Sequence, residues 1–105
     1  MGDDVHALSE ELARDPASLA FLPLGELLRR EGRVDQARRI VMRGLERHPH
    51  LADAHDLLAR IYADAGETEK AFDEWDMVRR LAPGHTGAAK GMGFICYSDG
   101  RLADA

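Results

Sequence analysis

The sequence carries one cysteine, Cys96, no excess of positive charge and no long apolar run. A single thiol forms no intramolecular disulfide, which agrees with a reducing compartment. No stretch approaches the roughly 18 apolar residues needed to cross a bilayer. The first residues are acidic where a secretory signal would be basic, and no apolar segment follows them. His6 stands where N-myristoylation calls for serine or threonine. A cytoplasmic location is therefore expected, with no membrane partner. The formal net charge of −5 argues against nonspecific binding to nucleic acid. With 105 residues there is room for one domain or a short run of repeats, and none for a separate catalytic domain beside it.

What is present is the balance of a globular protein, 45% apolar and 31% charged, so a packed core is within reach. Three residue types recur in phase. Gly32, Gly66 and Gly100 are spaced by 34 residues, and Ala37, Ala71 and Ala105 follow them at the same interval. Pro49 and Pro83 are also 34 apart. Such a fixed interval signals stacked supersecondary units. The segments between these marks read as helices. Over 18–31, Phe21, Leu24, Leu27 and Leu28 lie at helical spacing, and Gly32 is placed to close the helix. Asp35 reads as the N-cap of the next helix, whose apolar stripe is Ala37, Ile40, Val41, Gly44 and Leu45. The pair repeats over 52–65 and 69–82, with Leu57, Leu58, Ile61 and Tyr62 on one helix and Ala71, Phe72, Trp75, Val78 and Leu81 on the other. A third pair begins over 86–99. Ahead of them all, Val5, Leu8 and Leu12 mark an N-terminal helix over 4–14 that ends at Asp15-Pro16.

At this point the sequence resembles the tetratricopeptide repeat family, whose pattern is W-x2-L-G-x2-Y, then A-x3-F, then P. Phe21-x2-Leu24-Gly25-x2-Leu28, Ala37-x3-Val41 and Pro49 keep that spacing, as do His55-x2-Leu58-Ala59-x2-Tyr62, Ala71-x3-Trp75 and Pro83. A third copy starts as Ala89-x2-Met92-Gly93-x2-Cys96 and runs to Ala105. The resemblance implies an all-α right-handed superhelix of antiparallel helix pairs. It would comprise one domain over 1–105, with repeats at 18–51 and 52–85 and a partial third at 86–105. Two departures stand out. Pro23 falls within the first helix and is expected to loosen its first turn, and His55 and Ala89 replace a large aromatic.

Several residues invite a chemical reading and fail it. His48, His50 and His55 lie close together, but no cysteine or carboxylate falls at a zinc spacing beside them. Gly91-Met92-Gly93 sits in a helical pattern with no preceding strand, so it is no phosphate loop. The pairs Asp53/Asp56 and Asp73/Asp76 read as solvated acids, and Cys96 as a packed thiol. Arg29, Arg30, Arg33, Arg38, Arg39, Arg43 and Arg47 form one basic stretch, read as a solvated face of mixed sign. No catalytic residue, metal or cofactor is expected.

The resemblance implies instead a concave groove lined by the first helix of each pair, receiving a peptide or protein. Carried onto this chain, its positions are Leu22, Glu26 and Arg29, then Asp53, Asp56 and Arg60, then Lys90, Phe94 and Tyr97. Arg29, Arg60 and Lys90 are expected to be available for a partner's carboxylates. One subgroup of the family holds chaperone C-termini in a carboxylate clamp of lysine, asparagine and arginine. Leu22 and Glu26 stand where the first repeat's lysine and asparagine would lie, and Leu57 at the second repeat's asparagine position, which disfavours that ligand. The alternative reading is a self-assembling unit. In it Met92, Phe94, Ile95, Cys96 and Tyr97, short of a closing helix, would form a homodimer.

Overall fold

The computed structural model describes residues 2–84, all of whose regular elements are helices: α1 (Gly2–Arg14), α2 (Phe21–Arg30), α3 (Val34–Arg47), α4 (Ala52–Asp64) and α5 (Thr68–Leu81). The third pair expected from residue 86 lies outside the described residues. Helices α2 and α3 form one pair and α4 and α5 another, and α4 packs on both helices of the first pair. None of these helices is long and apolar enough to cross a membrane.

The two glycines spaced by one repeat explain the hairpins. Both Gly32 and Gly66 adopt left-handed φ, +82° and +81°, which a side chain would resist. Each closes its helix through the same pair of bonds. The Arg33 N–H donates to the Leu28 carbonyl (2.9 Å) and that of Gly32 to Arg29 (3.0 Å). Glu67 donates to Tyr62 (2.9 Å) and Gly66 to Ala63 (3.0 Å). The residue after each glycine then opens the next helix, since the carbonyls of Arg33 and Glu67 accept from Ala37 and Ala71. Here the sequence expectation needs correction. Arg33, not Asp35, is the N-cap of α3, and it caps without a side-chain bond. Asp35 lies in the first turn, where its charge favours the helix N-terminus and pairs with Arg38 at 3.2 Å.

Helix α2 also begins later than expected. Residues 15–20 form a turn in which the Asp15 carboxylate accepts from the Ala17 N–H (3.1 Å) and the Ser18 hydroxyl oxygen from that of Ala20 (3.1 Å). Because the helix starts at Phe21, Pro23 is its third residue, where an N–H has no partner within the helix. The proline therefore breaks no bond of the ladder, and the expected loosening does not arise.

The core runs through both pairs. Phe21, Leu24, Val41, Ile61 and Val78 are its largest fully buried side chains, with Ala37, Ala59 and Ala71 between helices that approach closely. Trp75 closes the second pair over Ala59 and Ala71. Gly25 and Gly44 mark the tightest approaches of α2 to α3. A Cβ on Gly25 would stand 2.6 Å from Val41 Cγ2, and one on Gly44 would overlap the Phe21 ring.

Candidate functional site

The positions one turn apart on the first helix of each pair converge. Leu22 and Glu26 of α2 face Asp53, Asp56, Leu57 and Arg60 of α4 across an open hollow of about 340 Å³. Five of the nine groove positions named from the sequence thus meet in one place. Leu57 joins them as an apolar floor beside Leu22. Arg29 does not line the hollow, and Lys90, Phe94 and Tyr97 lie outside the described residues, as do Met92, Ile95 and Cys96 of the expected self-association surface.

The electrostatics of this surface differ from the expectation of free arginines. Arg29 is held between Glu26, at 2.5 Å, and Asp64 of α4, at 2.8 Å. The second bond ties the first helices of successive pairs together. Arg30 adds a further contact to Glu26 at 3.1 Å. Burial pushes the Glu26 carboxyl upward, but the hydrogen bonds and charges of Arg29 and Arg30 outweigh it and hold the group below its ordinary value. The hydrogen bonding that Arg29 donates to Glu26 is the largest influence on its guanidinium. Together with Asp64 it overcomes desolvation and raises that guanidinium above its usual range. Arg60 is engaged as well, by Asp56 at 3.2 Å. The other oxygen of Asp56 accepts from the buried Trp75 indole N–H at 2.8 Å, so one carboxylate links the hollow to the core of α5. Arg29 is thus bonded on both sides, while Arg60 is engaged through Nε alone and keeps its two Nη groups. What the hollow presents is an apolar floor of Leu22 and Leu57 ringed by Glu26, Asp53, Asp56 and Arg60, each of which already has an interaction within the fold.

The histidines hold loops. His48 donates from Nε2 to the Ala17 carbonyl at 2.8 Å and stacks on Phe21, pinning the turn before α2 to the end of α3. His55 Nε2 donates to the Pro49 carbonyl at 2.8 Å, and its Nδ1 lies 2.7 Å from Glu74 of α5. In the place of the family's large aromatic, this ring bridges the loop before α4 to the second helix of the pair. Among the described residues no group of three or more histidines, cysteines or acids is assembled as a metal site.

No protein-family model and no curated protein matches this sequence. The decisive likeness is structural. The crystal structure of MamA, a TPR-containing protein, superposes over 91% of this chain with a TM-score of 0.84 and 23% sequence identity. The fold is that of a TPR-like helical repeat. This chain spans 57% of the length of MamA.

Proposed function

We propose that the chain belongs to the tetratricopeptide repeat family and is a non-catalytic scaffold that receives a peptide segment of a protein partner in the hollow between α2 and α4. Repeats are assigned to 18–51 and 52–85, with a third beginning at 86. The observation that carries the reading is the convergence of Leu22, Glu26, Asp53, Asp56 and Arg60 on one concavity with Leu57 at its floor. Scaffold folds of this kind bind through such concave faces. The charge of the rim selects the ligand. The lining carries three carboxylates, Glu26, Asp53 and Asp56, against the one guanidinium of Arg60, so its net negative charge favours a segment with an apolar anchor flanked by lysine or arginine.

Panning a random peptide library on the chain tests this. Enriched peptides are expected to pair an apolar residue with a basic one. Asp53→Lys should weaken them roughly fivefold, while the circular dichroism spectrum stays unchanged. Enrichment of acidic peptides, or peptides indifferent to Asp53→Lys and Leu22→Glu in a folded chain, would remove the assignment.

A further inference from the structure

A second groove lies on the opposite side of the first pair. Helix α1 packs on α2 and makes no close backbone approach to α3. The space left between α1 and α3 consists of two hollows of about 450 and 250 Å³ that share Ile40 and Arg43 and so form one trough. Its accessible apolar surface is Ile40 of α3 with Val5 and Leu12 of α1, and the buried Phe21, Leu24 and Leu28 of α2 close the bottom beneath them. The α1 wall is uncharged, made by Val5, Ser9, Leu12 and Ala13. The α3 wall is the reverse. It carries Arg33, Arg39, Arg43 and Arg47 against a single carboxylate, Glu46.

The seven-arginine stretch of the sequence is thus sorted by the fold into two sets. Arg29 and Arg30 are bonded to Glu26, and Arg38 to Asp35. Arg33 pairs with Glu31 at 3.4 Å. Arg39, Arg43 and Arg47 are all exposed and form no ion pair among the described residues. They stand four residues apart, so they make one ridge along α3. From Arg33 to Arg47 that helix runs roughly 20 Å, about four turns of a docked helix.

We infer that this trough is a docking site for an acidic amphipathic helix of a partner protein. Its apolar face would lie on Ile40, Leu12 and Val5, and carboxylates spaced at i, i+4 would meet the ridge of Arg39, Arg43 and Arg47. A row of guanidinium groups matches a row of carboxylates in both spacing and bonding geometry. The concave apolar floor distinguishes this occupant from the other polyanions. A flat anionic bilayer does not enter a trough walled by α1, and a nucleic-acid backbone offers no apolar face to cover the floor. The chain's net charge of −5 further opposes an extended polyanion, while a short acidic helix engages the ridge locally. This site is distinct from the hollow between α2 and α4, which prefers the opposite charge.

The probe is a fluorescein-labelled synthetic peptide of about 16 residues with leucines at i, i+3, i+7 and glutamates on the adjoining face. Its comparisons are a scrambled peptide of the same composition, a version with lysine for every glutamate, and vesicles of phosphatidylserine and phosphatidylcholine. Each is titrated against the full chain, against Arg39→Glu/Arg43→Glu, and against Arg60→Glu, with folding checked by circular dichroism. The acidic peptide should bind the parent chain and Arg60→Glu alike, and bind the double variant roughly tenfold or more weakly. The lysine peptide should show the inverse preference, which a variant that merely unfolds cannot produce. Equal binding of the scrambled peptide, vesicle binding without peptide binding, or loss on Arg60→Glu alone would each overturn the assignment. So would a mass in light scattering showing a second copy of the chain in place of the peptide.

Discussion

Replacing Gly44 by alanine sets two effects of opposite sign against each other. Gly44 lies in the interior of α3, where alanine lowers the entropic cost of the helix by about 1 kcal/mol. The new Cβ, however, would fall against three carbons of the Phe21 ring, well inside van der Waals contact. That ring has little room to yield. It is 1% exposed and stacks on His48 with centroids 6.0 Å apart and planes 13° from parallel. His48 in turn is held by the Ala17 carbonyl. Overpacking of a core costs about 1–3 kcal/mol, and overlap with several atoms of a rigid ring belongs in the upper half of that range. The net effect is a loss of about 1–2 kcal/mol, or roughly 5–15 °C in melting temperature for a chain of this size. The cycle that isolates the cause uses Phe21→Leu, which removes the ring edge. In that background Gly44→Ala should be neutral or stabilising by up to about 1 kcal/mol. Thermal and urea denaturation of the four chains measures both legs. A higher melting temperature for Gly44→Ala alone, or the same cost in both backgrounds, would refute the close approach of α2 and α3 at this point.

Two further outcomes follow from the turns and the ion pairs. Gly66→Ala places a Cβ in open space, so its whole cost is the left-handed φ, about 1–2 kcal/mol, and Gly66→Asn should cost visibly less in the same urea titration. Glu26 has a carboxyl held below its ordinary value, so its ion pairs stabilise the fold above about pH 4.5 and are lost as pH falls through the lowered folded value. The melting temperatures of the parent and Glu26→Gln should therefore differ near neutrality and converge in acid; a gap that widens in acid would contradict the arrangement.

The repeat architecture was legible because its marks are local. A glycine at Gly32 or Gly66 is required by a left-handed φ, and small residues such as Ala37 and Ala71 by close helix contact, so each announces its geometry without reference to the rest of the chain. The helix starts were less so. Asp35 has the chemistry of an N-cap, but the turn at Gly32 leaves no spare residue. Arg33 both closes the turn after α2 and caps α3, which puts Asp35 two places too late. Of the groove, the positions could be read and the availability of its charges could not. Whether Arg29 is free depends on Asp64, 35 residues away, and whether Arg60 is free depends on Asp56, fixed in turn by Trp75. The trough beside α3 had a visible signal, the arginine stretch, without the information that α1 would lean on α2 and leave that face open.

The two surfaces show how a short repeat of net negative charge can present opposite signs. On the side of the first helices Arg29 is drawn across to Asp64 and fixes α2 to α4, while Arg60 pairs with Asp56 one turn away on its own helix. Those bonds order the side chains around the hollow, which would lower the entropic cost of the binding proposed there. On the α3 side no acid stands opposite Arg39, Arg43 and Arg47, because the facing wall of α1 is Val5, Ser9, Leu12 and Ala13. Three neighbouring guanidinium groups with only Glu46 among them repel one another, which is the basis for the acidic partner inferred above. The same residue type therefore serves cohesion on one face and stands unpaired on the other among the described residues, and the difference lies in what the neighbouring helix supplies.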